Sequence, residues 1–364
     1  MGPLAPWRAP PYDGFVACRY KVIVPGKGKR KDRASRSRRP VAGLLILLAT
    51  VAAVAAQTTL FQFNPPTRAQ QLAAIGPTQA LSRVLWRALD PREGFQPMPK
   101  PGDLDWLANH EEHGQTFAQF VQAQPHRPDS RRKKLYLQPL GSFPESAGVS
   151  LAELRRFTSA FFMMDVALLP PLDLSRNHIT TRQAPQTHNL QMLTGDILNL
   201  LYRRLPDDAF ALLGITMTDL YPAPDWNYVF GQASLRARVG VYSFARYDPK
   251  FYGEAPGPAS RQLLLRRSCK ILAHEASHMF GIEHCIWFRC TMNGCNHLEE
   301  LDAAPLHLCP VDLRKLQWSI GFDVLERYRR LRDFYAQAGL NDESAWMEKR
   351  LRFLDAESPP AGTP

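Results

Sequence analysis

The chain has 364 residues, of which 45% are apolar and 22% charged, as in an ordinary globular protein of one large or two modest domains. Its formal net charge is +11, but residues 1–40 contain eleven Lys and Arg against two Asp, so the rest of the chain carries only +2. We predict residues 1–40 to be a basic, disordered tail. Such a tail is no evidence for a basic binding face on the folded part, and we expect no nucleic-acid binding.

The basic run of residues 26–40 precedes an uncharged stretch, residues 41–63, that begins almost purely apolar. Spanning a bilayer takes about 20 residues, and positive charge before the stretch favours a signal anchor. The triplet Val54-Ala55-Ala56 also resembles a signal-peptide cleavage site. A buried core helix or an artefact of the gene start would also account for the stretch. We expect a single-pass membrane or secretory protein, with a cytosolic or nuclear location as the alternative.

The chain after the apolar stretch divides into three parts. Residues 64–133 form a helical and loop lead-in with a candidate helix over residues 106–122. A catalytic domain is predicted over residues 134–330, and C-terminal helices with a disordered end over residues 331–364. The elements of the domain are a strand over 134–141, a helix from Ser150, a strand over 163–172, a helix over 189–205, an apolar strand over 210–222 and two strands within 226–247. This order predicts an α/β domain with a mixed twisted sheet.

A helix that begins at about residue 261 carries the sequence HEASH. At about 100° per residue, His274 and His278 lie on the face opposite an apolar stripe and are roughly 6 Å apart along the axis, which suits chelation of one metal ion. Glu275 lies beside them, where its carboxylate can reach a metal-bound water without ligating the metal. The alternative is a helix whose histidines are merely polar surface.

A third ligand is predicted beyond the helix. Gly281 can take a positive φ, so the helix can stop there and His284 can come round to the same metal ion. Three protein ligands plus water are the usual set at a catalytic zinc. The extended spacing HExxHxxGxxH is far more specific than HExxH. Together with the extended motif, Met292 in the turn-forming context TMNG resembles the Met-turn of the metzincin clan, with a core methionine as the alternative.

Four of the six cysteines lie within 25 residues of one another and beside the histidines, which favours metal binding over a disulfide framework. Cys285 directly follows His284, and neighbouring side chains of an extended segment point to opposite sides. One residue can therefore face the catalytic metal and the next a second metal, to which Cys290 and Cys309 add thiolates. Thiolate sites suit reducing surroundings, whereas the apolar stretch indicates export or anchoring.

With the three histidines, Met292 and the stretches MNGCNHLEE and LCPVDLRKLQ, the chain resembles the archaemetzincin family from about residue 134 to 328. The stretches THNLQ, GITMTDLYP, FGQASL and VGVYSFARY are also similar. The resemblance implies a metzincin-like zinc protease domain with an active-site helix and a Met-turn. It also implies a peptide or protein substrate, and a second, structural zinc held by four cysteines, the last two in a CxxC.

One departure from the family concerns this second site. Where the family has CxxC, this chain reads Cys309-Pro310-Val311-Asp312, so the fourth thiolate is missing. Asp312 occupies the expected position and can supply a carboxylate; Cys295 and a water molecule are the alternatives. We expect two zinc ions per chain and favour Asp312 as the fourth ligand of the second.

The resemblance and the residues together predict a zinc metallopeptidase in which Glu275 is the general base for a zinc-activated water. In metzincins an edge strand holds the extended peptide by strand addition, and residues 239–247 or the preceding FGQASL are the candidates here. Two rival functions belong to different classes. One is a catalytically weak or inactive zinc-stabilised interaction module, and the second is a membrane-tethered adaptor that works through the basic tail.

Overall fold

The computed structural model describes residues 15–19, 62–143, 149–255 and 257–355. In this part of the chain, nine strands form one mixed sheet. The strands are β1 (Phe15–Arg19), β2 (Lys134–Leu140), β3 (Asp165–Leu168), β4 (Thr181–Gln183), β5 (Leu190–Leu193), β6 (Ala209–Thr216), β7 (Asp219–Tyr221), β8 (Val229–Ser234) and β9 (Val239–Ser243).

The described helices flank this sheet or follow it. They are α1 (Arg68–Ile75), α2 (Arg83–Ala88), α3 (Trp106–Asn109), α4 (Phe117–Gln122), α5 (Leu151–Phe162), α6 (Thr194–Arg203), α7 (Ser260–His278), α8 (Leu298–Ala303), α9 (Pro310–Ile320), α10 (Val324–Ala338) and α11 (Asn341–Asp355). Local signals set several of their ends. Ser150 caps α5, for example, with its Oγ accepting from the N–H of Glu153 at 3.3 Å.

The sheet has the strand order β3-β2-β6-β9-β8-β7-β5-β4, with β1 on β8 off this path. Strands β2, β3, β6 and β9 form a parallel set, and β8 pairs antiparallel with β9. Every residue of β6 is buried, as expected for a parallel strand covered on both faces. The predicted α/β domain with a mixed sheet is therefore confirmed.

Two hydrophobic cores lie on the two faces of the sheet. The larger contains residues of α5, α7 and α10 together with Leu213 and Ile215 of β6. The smaller contains Leu198 and Leu201 of α6 together with Leu212 of the same strand. Adjacent residues of β6 thus contribute to opposite cores, because side chains alternate along a strand. Helix α7 is held against the larger core, and this fixes the position of its histidines.

Some predicted elements differ from the observed ones. The predicted helix over residues 189–205 begins as strand β5 and becomes helical only at Thr194. The predicted strand over 210–222 is interrupted, because the N–H of Thr218 bonds the hydroxyl of Thr216 and the chain bends there before β7. The candidate helix over 106–122 is two short helices, since Gly114 adopts φ +71 between them.

The predicted single-pass membrane location was wrong, because no helix of the described residues is both long and apolar enough to cross a membrane. The longest of these helices, α7, has 19 residues but contains charged side chains along its length. Residues 41–61, on which the prediction mainly rested, lie outside the described part. So do residues 1–14, 20–40 and 356–364, which include most of the predicted disordered ends.

Candidate metal centre

Helix α7 presents its polar face to other parts of the protein rather than to solvent. The predicted apolar stripe of Leu265, Cys269 and Leu272 lies in the larger core. On the opposite side, His274 and His278 are also buried, although histidines on a helix surface are usually exposed. Burial of two imidazoles one turn apart requires partners for their ring nitrogens, and the surrounding loops supply partners for both Nδ1 atoms.

The helix ends at His278, and Gly281 follows with φ +77, in the left-handed region that favours glycine. The N–H of Gly281 closes the end on the carbonyl of His278 at 2.8 Å. The side chain of Gln115 donates to the Gly281 carbonyl at 3.1 Å, so the chain turns back at a fixed place. His284 is thereby brought beside the two helical histidines, as the glycine spacing predicted.

The three imidazoles of His274, His278 and His284 each have a ring nitrogen directed at a common point. Their donor atoms lie within 4.8 Å of one another, and the Nε2 atoms of His274 and His278 are 3.1 Å apart. In each ring the second nitrogen, Nδ1, already faces an oxygen acceptor. The acceptors are the carbonyl of Thr291 for His274 at 2.8 Å, the carbonyl of Ile282 for His278 at 2.6 Å and the carboxylate of Glu112 for His284 at 2.8 Å.

These partners settle the tautomers. A carbonyl oxygen only accepts, so Nδ1 of His274 and of His278 must donate, and each Nε2 then presents a lone pair. Two such lone pairs at 3.1 Å repel unless a cation lies between them. Burial also lowers the pKa of His274 to about 3 and that of His278 well below its ordinary value, which disfavours a proton in that place.

The donor set fits zinc. Tetrahedral Zn–N bonds of about 2.0–2.1 Å place two nitrogens about 3.3 Å apart, close to the observed 3.1 Å. Nε2 of His284 is buried and has no hydrogen-bond partner among the described residues, as expected of an atom reserved for a ligand. Neutral imidazoles with Nδ1 hydrogen-bonded are the usual form of zinc-binding histidine.

Two further residues of the motif flank this centre. Glu275 is fully buried on α7, between the two helical histidines in sequence. Met292 is buried in the turn that follows, and its carbonyl accepts from the N–H of Cys285 at 2.8 Å. The same turn supplies the Thr291 carbonyl that fixes His274. The predicted Met-turn is thus in direct contact with the first histidine.

A second buried cluster contains Cys285, Cys290, Cys309 and Asp312, whose donor atoms also lie within 4.8 Å of one another. The Sγ atoms of Cys285 and Cys309 are 3.6 Å apart, and Oδ2 of Asp312 lies 3.3 Å from Sγ of Cys290 and 3.4 Å from that of Cys309. Tetrahedral zinc with Zn–S bonds of about 2.3 Å would place sulfurs about 3.8 Å apart and a sulfur and an oxygen about 3.5 Å apart. The cluster therefore has the dimensions of a zinc site.

Of the candidates for the fourth position, the structure brings Asp312 into the cluster and leaves Cys295 outside it. The thiol of Cys295 lies 3.7 Å from the carbonyl of Asn293. Oδ1 of Asp312 accepts a hydrogen bond from the buried ammonium of Lys315 at 2.9 Å. The other carboxylate oxygen, Oδ2, therefore faces the sulfurs of the cluster. Burial raises the pKa of Asp312 to about 7, against the opposing effect of Lys315.

Sequence reasoning missed Glu112 and Lys315. Glu112 is 172 positions from His284, in a segment that the sequence marks only as lead-in. Lys315 follows Asp312 by three residues on α9, and this helical spacing was a usable signal for an ion pair.

A third group, Asp105, His297 and Glu300, also has donor atoms within 4.8 Å. The donor atoms of this group already have hydrogen-bond partners within the protein. Nε2 of His297 lies 3.1 Å from Oδ1 of Asp105, and the carboxylate of Glu300 accepts the N–H groups of Trp106 at 3.0 Å and Asn296 at 2.6 Å. These bonds join the start of α3 to α8 and account for the group without a metal.

An α/β domain with a buried three-histidine centre beside a glutamate, and with a second centre of thiolates and a carboxylate, belongs to the class of metal-dependent hydrolases. Comparison with known proteins identifies the family within this class. The model of peptidase family M54 matches residues 163–318. Archaemetzincin-2 of Homo sapiens is 40% identical over 278 residues, which cover 68% of this chain and 77% of that protein. Archaemetzincin-1 of Homo sapiens is 33% identical over 296 residues, covering 74% of this chain and 57% of that protein.

Solved archaemetzincin structures are also similar to the chain. That from Archaeoglobus fulgidus, complexed with malonate, is 26% identical, covers 50% of this chain and 99% of its own, and has a TM-score of 0.39. That from Methanopyrus kandleri is 28% identical, with coverages of 53% and 97% and a TM-score of 0.39. On the sequence relatives, the chain belongs to the archaemetzincin family and is a zinc metallopeptidase, which confirms the predicted resemblance.

Proposed function

We propose that the protein hydrolyses peptide bonds at a zinc ion held by His274, His278 and His284, with Glu275 as the general base. The observation that carries this proposal is the convergence of three buried Nε2 atoms, each fixed through its Nδ1 partner, on the helix face where Glu275 follows His274. A site with three protein donors leaves a fourth position open for water or substrate.

Zinc in this site would lower the pKa of a bound water towards about 7 and polarise the carbonyl of the scissile bond. Glu275 would accept the proton from the attacking water and pass it to the leaving amine. The three histidines would bind the zinc through Nε2, because the Nδ1 atom of each already faces an oxygen. The deep burial of the helix face excludes bulk water from this exchange.

An extended peptide substrate would add to the sheet at β8. Strand β9 lies between β6 and β8, so residues 239–243 offer no free edge to a peptide. Of the two predicted candidates for the substrate-binding strand, this leaves the sequence FGQAS in β8. Ala233 of β8 pairs with Gly240 of β9. A Cβ atom at Gly240 would lie 2.8 Å from Cε of Met279, the residue that follows His278 in the chain. Because β1 pairs antiparallel with β8, a peptide substrate would take the place of β1 at this edge.

The second cluster would hold a structural zinc through Cys285, Cys290, Cys309 and Asp312. Four protein donors close the coordination shell, so this site would stabilise the fold and leave no position for substrate. It joins the segment just after His284 to the start of α9. In this way the zinc would fasten the segment that carries the third catalytic ligand.

The variant Glu275→Gln tests the proposed base. It keeps the shape of the side chain and removes its basicity, so we expect zinc content unchanged and peptide hydrolysis lowered by roughly 100-fold or more. Hydrolysis of a peptide library and elemental analysis of the same preparation are the measurements. Glu283→Gln is the matched control, because Glu283 is an exposed neighbour of the same charge and should retain wild-type turnover.

Turnover that survives in Glu275→Gln would exclude Glu275 as the base. Zinc bound at the three histidines, with no peptide cleaved by the wild-type chain, would instead favour the zinc-stabilised interaction module. His274→Ala distinguishes the two sites, since we expect it to lower the zinc content from two ions per chain to one.

A further inference from the structure

A carboxylate from outside the predicted catalytic domain reaches the metal centre. Oε1 of Glu112 lies 2.8 Å from Nδ1 of His284 and accepts the indole N–H of Trp106, also at 2.8 Å. The carboxylate therefore lies directly behind the third histidine, on the side of the ring away from Nε2.

The ring of His284 depends more on a side-chain partner for its orientation than the rings of the two helical histidines do. His274 and His278 lie on one rigid helix, and backbone carbonyls fix both rings. His284 lies on the segment after the helix, outside regular secondary structure. Among the three rings, only that of His284 has its Nδ1 facing a side chain, and its buried Nε2 has no hydrogen-bond partner in the described part of the chain.

We propose that Glu112 is the positioning residue of the third zinc ligand, and that Trp106 and Gln115, which hold the segment that carries it, belong to the surroundings of the metal centre. The carboxylate holds the proton on Nδ1, directs Nε2 of His284 towards the helical pair of rings, and raises its strength as a donor. This inference deepens the proposed function and rests on His284 as a ligand.

The segment is held in place independently of any metal. Trp106 stands edge-on to the ring of His284 at 5.2 Å and stacks on His110 at 3.6 Å. A Cβ atom at Gly294 would lie 2.5 Å from the Trp106 ring, so the Met-turn loop and the indole are in close contact.

At the far end of the segment, the Gln115 side chain donates to the Gly281 carbonyl and accepts from the N–H of Glu283 at 3.4 Å. Contacts at both ends therefore hold the segment that carries Glu112. The domain defined by the family match, residues 163–318, does not contain this segment.

The test compares Glu112→Gln and Glu112→Ala in the full chain, with Glu111→Gln as the matched control, since Glu111 is an exposed neighbour with the same side chain. Zinc dissociation constants come from competition with a chromogenic chelator. We expect roughly 10–100-fold weaker zinc binding in Glu112→Ala and a smaller loss in Glu112→Gln, which keeps an acceptor without the charge. Glu111→Gln should bind as the wild type does.

Two further readouts separate positioning from general loss of structure. The visible spectrum of the Co²⁺-substituted protein should change in the Glu112 variants, and the second site should retain its metal. The pH profile of kcat/KM should shift in Glu112→Gln, because the donor strength of His284 changes. Glu112→Gln is isosteric, so it reports on the inference even where Glu112→Ala fails to fold.

Wild-type zinc affinity and an unchanged cobalt spectrum in both Glu112 variants would overturn the inference. So would a wild-type chain that binds no zinc at the three histidines. Metal binding is measured without turnover, so its outcome is distinct from that for the proposed function. Weakened zinc binding in the variants of a protein that cleaves no peptide would support the inference and remove the proposed activity.

Discussion

Asp312 stands where the family pattern has a cysteine, and its two oxygens have different partners. Oδ1 accepts from Lys315, while Oδ2 faces the sulfurs of Cys290 and Cys309. The side chains of Asp312 and Lys315 are both fully buried, so each needs its partner as a counter-charge. The aspartate in place of the cysteine thus has a second buried residue, Lys315, as its partner.

This ion pair gives a prediction at the scale of residues. Asp312→Ala should lower the free energy of unfolding by about 3–5 kcal/mol, because it leaves the Lys315 ammonium buried without a counter-charge. Urea unfolding with excess zinc is the measurement. The double variant Asp312→Ala with Lys315→Met should lose less free energy of unfolding than Asp312→Ala alone. Equal losses in the two proteins would show that the pair makes no such contribution.

A second prediction at this scale concerns metal content. Asp312→Cys restores the thiolate of the family pattern and should retain the second zinc, whereas Cys309→Ser should weaken it, since a hydroxyl is a poorer zinc ligand than a thiolate. Elemental analysis after dialysis against a mild chelator measures both. Loss of the second zinc in Asp312→Cys would count against the cluster as a zinc site.

At the scale of elements, the end of α7 decides whether a third histidine joins the two on the helix. Gly281→Ala should cost about 1–2 kcal/mol for the left-handed backbone, with more from the contact of the new Cβ at 2.8 Å from Pro125. It should also weaken zinc binding, because His284 must move with the turn. Gly253→Ala is the control, since Gly253 has φ +79 but no atom within 4 Å of an added Cβ. Similar zinc affinities in both variants would contradict this role of the turn.

Element boundaries also show where sequence patterns are insufficient. The spacing of apolar residues over 106–122 indicates one helix, yet the structure has two, with Glu112 between them. Gly114 adopts a positive φ there, and Thr116 begins α4 with a capping box to Gln119. Both signals are visible in the sequence. Their consequence, a carboxylate free to reach His284, depends on packing against a distant loop.

At the scale of the whole molecule, β1 and a peptide substrate would compete for one edge. Gln232 of β8 pairs with Val241 of β9 and with Ala17 of β1, so these two strands lie on opposite sides of it. A chain of residues 62–364 should therefore show a lower KM with kcat unchanged, because a peptide no longer displaces β1. Steady-state kinetics on one peptide, with the full chain beside the shorter one, measure this. Identical KM values would place the substrate elsewhere.

Local sequence was enough to predict the three histidines, the glutamate beside them, the glycine that ends the helix and the α/β order of elements. These features depend on helical periodicity and on backbone preferences, which act between residues close together in the chain. Only the folded chain shows that Glu112 meets His284, that Asp312 rather than Cys295 joins the thiolates, and that β9 is enclosed between β6 and β8. These features depend on contacts between residues far apart in the chain, and such contacts exist only once the sheet and α7 have packed together.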